Sequence, residues 1–211
     1  MKTDDLILLL AQGAGPAPRA QAWRRLWPGA VLGLLASIAL AAWLLGLIPA
    51  GLYREVAPWF KIVYAGAMGV STGWLVIRLS RPVPRWRGPL LTVAAVLVAA
   101  VLVGLAGWLA SPAASRLPGL LGHSWTRCSL NVMALSLPAL AAAFWALRGL
   151  APTRPVLAGA GAGLFAGSLG ALGYALSCTE LALPFVALWY TLGMLLSGAL
   201  GALLGPRLLR W

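Results

Sequence analysis

The run VLAGAGAGLFAGSLGALGYALS at residues 156–177 contains no charged side chain. A helix needs roughly 20 apolar residues to cross the hydrocarbon core of a bilayer, so a run of this length reads as a membrane span. Within it Gly159, Gly163 and Gly167 recur at every fourth position, with Gly170 and Gly173 beyond. That rhythm leaves one helix face almost bare, and a second backbone can then approach closely and gain dispersion energy that lipid cannot supply. The last apolar run answers with Gly193, Ser197, Gly201 and Gly205 at the same spacing.

Five further apolar runs of similar length flank this one. The spans are placed at 30–48, 59–77, 90–110, 129–147, 156–177 and 183–204, with Pro28, Pro49, Pro58, Pro89, Pro112, Pro155 and Pro206 near their ends and Pro138 inside the fourth. A chain of 211 residues that is 61% hydrophobic and 9% charged is too apolar for a soluble domain of this size. The fold class is therefore an all-α integral membrane protein with six transmembrane helices. No basic n-region or cleavage site precedes the first apolar residues, so the N-terminus is expected to be retained.

Charge sets the expected orientation. Lys2, Arg19, Arg24, Arg25, Arg78, Arg81, Arg85, Arg87, Arg148, Arg154, Arg207 and Arg210 fall on one side of the six spans, and only Arg54, Lys61, Arg116 and Arg127 on the other. Positive residues stay inside, which places both termini in the cytoplasm and puts Cys128 and Cys178 at the outer face. The net charge of +12 then reads as a topology signal, with no direct nucleic-acid binding implied. The densest basic stretch, residues 78–87, reads as a contact with anionic lipid.

Residues 1–27 form an N-terminal segment ahead of a membrane domain at 28–211. Thr3 can cap a short helix, Asp4 and Asp5 suit its positive end, and residues 6–10 add an apolar surface too short to span. Trp23, Trp27 and the neighbouring arginines form a basic, aromatic approach to the bilayer. The segment reads equally as a juxtamembrane anchor or as a docking peptide.

Two cysteines are the chemical exceptions. In an oxidising outer compartment Cys128 and Cys178 could form a stabilising disulfide. Alternatively they form a reactive or soft-metal pair, with Arg127 favouring a thiolate and His123 and Glu180 completing a ligand shell. The absence of a C-x-x-C pair argues against a thiol oxidoreductase, and the four carboxylates Asp4, Asp5, Glu55 and Glu180 all lie outside mid-membrane, which argues against an ion-coupled transporter. No nucleotide loop, catalytic triad or cofactor motif is present, so no enzymatic activity and no cofactor are expected. A membrane thiol-disulfide oxidoreductase and a small metal transporter stand as alternatives.

The opening Met1-Lys2-Thr3-Asp4-Asp5-Leu6-Ile7, the six-span layout, Cys128 after a short outer loop, and Cys178-Thr179-Glu180 followed by Pro184-Phe185 and Trp189-Tyr190 together resemble the NrsF-type bacterial membrane anti-sigma factors. The resemblance implies a protein that holds an extracytoplasmic-function sigma factor at the cytoplasmic face of the inner membrane. Lys2, Asp4, Asp5 and Leu6 become candidate sigma contacts, and Cys128 and Cys178 a sensor of heavy-metal or oxidative stress.

Overall fold

The computed structural model describes residues 21–81, 85–150 and 152–209, together with Thr3, Asp5 and Ile7, which are helical and exposed. Lys2, Asp4 and Leu6 lie outside the described residues. Six helices are long and apolar enough to cross a membrane: α1 (Gln21–Leu45), α2 (Val56–Leu79), α3 (Arg87–Ala110), α5 (Trp125–Arg148), α6 (Pro155–Ala175) and α7 (Leu183–Leu208). A 3₁₀ turn at Ala50–Arg54 precedes α2, and a short helix α4 (Ala113–Leu121) joins α3 to α5.

Each expected span meets one of these helices, and the differences have local causes. Pro28 was expected to end a span but lies inside α1, whose first turns reach back to Gln21, so the division at residues 27 and 28 falls within one helix. The carbonyl that Pro28 leaves without a donor belongs to Arg24, close to the polar end of the helix where water can satisfy it. Pro206 likewise lies in the last turns of α7. The connection after α3 was read as a loop, yet Pro112 starts a helix there, and Arg116 fastens it by donating to the Ser111 carbonyl and lying over the Trp108 ring at 4.9 Å.

The glycine-rich run forms the centre of the bundle. α6 packs against α1, α2, α5 and α7, and its interface with α7 is the most extensive in the molecule. The four-residue rhythm explains why. A Cβ at Gly159 would overlap the Gly201 carbonyl, and one at Gly163 would overlap the Ser197 carbonyl, so the two backbones run in direct contact. On its other faces Gly170 meets the α5 backbone at Val132 and Ser136, and Gly173 meets Ser37 of α1. Ser136 and Ser197 share a hydrogen bond of 3.1 Å across α5 and α7.

The outside of the bundle is apolar. Trp43, Val70, Leu105, Trp145 and Leu203 all face outward, a surface compatible with lipid rather than water. Antiparallel packing gathers the basic helix ends at one pole, where Arg25 lies against Gly149 and Arg148 donates to the Leu208 carbonyl. The opposite pole holds both cysteines.

Candidate functional site

The cysteine pole is built by three elements that converge on one turn. α6 ends at Ala175, and the chain from Leu176 to Ala182 crosses to α7 without regular structure after its first hydrogen-bonded turn. That turn is held by bonds from the Ser177 and Cys178 backbone N–H groups to the Tyr174 carbonyl, both 3.0 Å, and by Ile48 donating to the Leu176 carbonyl at 3.0 Å. Cys178 is thereby fixed at the top of the bundle. Cys128, in the first turn of α5, joins the same buried cluster. Both are free thiols, and both are buried, with 0% and 3% of their surface exposed.

A lysine completes the cluster, one of the four basic residues assigned above by charge to the less basic side of the spans. Lys61 lies inside α2, is fully buried, and donates from Nζ to the Cys178 carbonyl oxygen at 2.6 Å. Its amine lies within electrostatic reach of both thiols. Arg127, expected to be the cation beside Cys128, points outward and is exposed. Residues adjacent in sequence on α5 point about 100° apart, so Arg127 and Cys128 face different ways. Lys61 could have been found in the sequence: it is the one basic residue within the apolar run 59–77, and ionisable groups within a span are functional candidates by default.

Aromatic residues enclose the cluster. Tyr174 of α6 lies beside Cys128, and its ring sits 5.7 Å from that of Tyr190. Tyr190 belongs to a π-helical turn, Val186–Tyr190, that widens α7 by one residue and turns this ring inward. The Tyr190 hydroxyl is buried next to Cys178, and the Ser177 hydroxyl is buried without a partner among the described residues. Tyr64 bonds Thr191 at 2.6 Å just past the π turn. The cluster thus brings together two soft sulfurs and one amine, all buried.

Glu180 and His123 have a different task from the one expected. A single Glu180 oxygen accepts hydrogen bonds from the His123 N–H at 2.7 Å, the Ser124 N–H at 3.0 Å and the Ser124 hydroxyl at 3.1 Å. These tie the α6–α7 turn to the start of α5, where a carboxylate is favoured by the helix dipole. Gly122 permits the approach: it has φ +59°, and a Cβ there would lie 2.8 Å from Glu180 Oε2 and 2.6 Å from the Phe185 ring. His123 points into solvent with Nδ1 4.0 Å from Glu180. Among the described residues no three His, Cys, Asp or Glu side chains share a metal-binding arrangement, so the two thiols are not joined by His123 and Glu180 in one ligand set.

The clamp carries a stability prediction. Glu180→Ala removes an acceptor for three hydrogen bonds and should destabilise the protein by about 1–3 kcal/mol, with Glu180→Gln costing less because it keeps a carbonyl oxygen. Thermal unfolding of the detergent-solubilised variants measures it. Equal melting temperatures for all three proteins would rule the clamp out.

Relatives of this chain match it along almost its whole length. Residues 10–211 match the family model described as "NrsF: Negative regulator of sigma F". The chain is 41% identical to the anti-sigma-F factor NrsF of Caulobacter vibrioides (strain NA1000 / CB15N), with 100% of both chains covered. It is 37% identical, again over 100% of both, to a probable anti-sigma-F factor NrsF of Azospira oryzae. No solved structure matches. A match that spans nearly all of the chain, from the N-terminal segment through the last helix, assigns it: the chain belongs to the NrsF family of negative regulators of sigma F.

Proposed function

We propose that this protein is a multi-pass inner-membrane anti-sigma factor, with both termini in the cytoplasm, that holds a sigma factor of the extracytoplasmic-function type through its N-terminal segment. It releases the sigma factor when Cys128 and Cys178 react with a soft metal ion or an oxidant. The observation that carries the regulatory reading is the kinship with anti-sigma-F factors over the full length of the chain. Two structural features support the rest. The Arg-rich pole suits the positive-inside rule, and the two thiols share one buried cluster at the opposite pole. Lys2, Asp4, Asp5 and Leu6 are the proposed sigma contacts; Asp5, the one among them that the structure describes, is helical and exposed.

The test is co-purification. Membranes solubilised in mild detergent should yield the protein together with a sigma factor, identified by mass spectrometry. An Asp4→Lys, Asp5→Lys double variant should reach the membrane at normal level, lose the sigma factor from the eluate, and raise transcription from its promoters. Unchanged co-purification would move the docking site away from the N-terminal segment, and a wild-type eluate free of any sigma factor would overturn the reading as a whole.

A further inference from the structure

The arginine pole carries a second feature, unrelated to the thiols. A cleft of about 580 Å3 opens between α1 and α2, with α6 as its floor, lined among others by Trp23, Trp27, Leu34, Gly66, Trp74 and Phe165. It extends along α2 from Ile77 to Gly66 and along α1 from Trp23 to Leu34. At ~1.5 Å of rise per residue that is about 16 Å on either helix. Half of a hydrocarbon core of ~30 Å is nearly the same length, so the cleft is one leaflet deep.

A guanidinium stands over one of the tryptophans at its mouth. Arg78 follows Ile77 on α2 and sets its guanidinium 5.8 Å from the centre of the ring of Trp74, one of the lining side chains, while Arg24, next to Trp23 on α1, is exposed at the same end. Tryptophans at this depth mark the boundary between acyl chains and head groups. Gly66 adds an independent sign. A Cβ built there meets nothing within 4 Å, whereas Gly159 and Gly163 face backbone. Helix–helix packing does not account for the missing side chain at Gly66, although glycine is unfavourable in a helix interior. What its absence does is widen the cleft.

We propose that the cleft seats one anionic phospholipid, its acyl chains lying along the Gly66 face and its phosphate held between Arg24 and Arg78. A zwitterionic lipid brings its own ammonium group, which two guanidinium groups disfavour; a head group of net negative charge matches them. The length, the apolar lining and the charge at the mouth fit a single lipid of the leaflet at the arginine pole.

Native mass spectrometry of the full chain in detergent, titrated with phosphatidylglycerol or phosphatidylcholine of identical acyl chains, tests this. Phosphatidylglycerol should be retained about tenfold better, a gain set by two arginines at a membrane surface. An Arg24→Gln, Arg78→Gln variant should bring the two lipids level. Gly66→Phe should weaken both lipids by about tenfold through filled volume, while Gly66→Ala should bind as the native chain does. Equal retention of the two lipids by the native chain, or undiminished binding by the arginine variant, would overturn the proposal. So would a protein dimer that Gly66→Phe dissociates, since a second copy would then be the occupant. If Gly66→Phe proves unstable, the arginine variant decides.

Discussion

Gly163→Leu is expected to abolish the folded protein. A Cβ at this position would overlap the Ser197 carbonyl and lie 2.8 Å from the Gly198 Cα. Both neighbours are backbone of α7, so no side chain can rotate away to make room. The α6–α7 pair would have to separate, and both helices would lose the contacts that make theirs the largest interface. Overpacking of a well-packed interior costs about 1–3 kcal/mol and more where nothing can relax, and a leucine wedged between two backbones is such a case. The expected result is loss of a monodisperse species in detergent gel filtration and a collapse of the protein level in membranes. Gly66→Ala provides the contrast, since alanine is favoured by about 1 kcal/mol in a helix and finds open space there. A Gly163→Leu protein with the native melting temperature would show that the helices do not meet in this register.

The second large effect concerns regulation. A Cys128→Ser, Cys178→Ser variant should fold, insert and retain the sigma factor, yet fail to respond to cadmium or a thiol oxidant in a reporter of sigma activity. Serine fits where each cysteine sits, and the bond from Lys61 survives because it is made to the Cys178 backbone. The cost in stability should stay within about 1–3 kcal/mol, the range for a buried hydroxyl that lacks a partner. The loss of response should be larger, at least about tenfold in induction, because a stressor shifts an equilibrium only by its differential affinity for the two states, and the variant removes the groups that supply it. On the proposed topology the coupling would cross about 30 Å of bilayer, and α6 spans that distance with Tyr174 beside Cys128 and Gly159 against the last turns of α7. Induction equal to the native protein at matched levels would return the two cysteines to a purely structural role.

How legible this molecule was depends on what each feature needs. Apolar length is a property of the sequence itself, which is why six helices were visible before any coordinates. The α6–α7 contact was visible too, since a bare stripe on two consecutive helices has few other uses in a membrane. Lys61 was obscured by counting it toward topology, when its place on the inner face of α2 turns it toward Cys178. Glu180 was read as a ligand because proximity to a cysteine in sequence is visible and proximity to the start of α5 is not. The π turn that aims Tyr190 leaves no mark in composition or periodicity, and α4 is too short for its pattern to stand out from a loop.

The link between Lys61 and Cys178 has a consequence for how the protein is made. The two residues are separated by 117 positions, and at about 5–20 residues per second the ribosome needs roughly 6–23 s to supply the acceptor after the donor. During that interval the Lys61 amine has no Cys178 carbonyl to bond, and a lysine this close to the start of α2 reaches toward the interface instead. The inner face of α2 at this end is therefore completed only after the α6–α7 turn has been made.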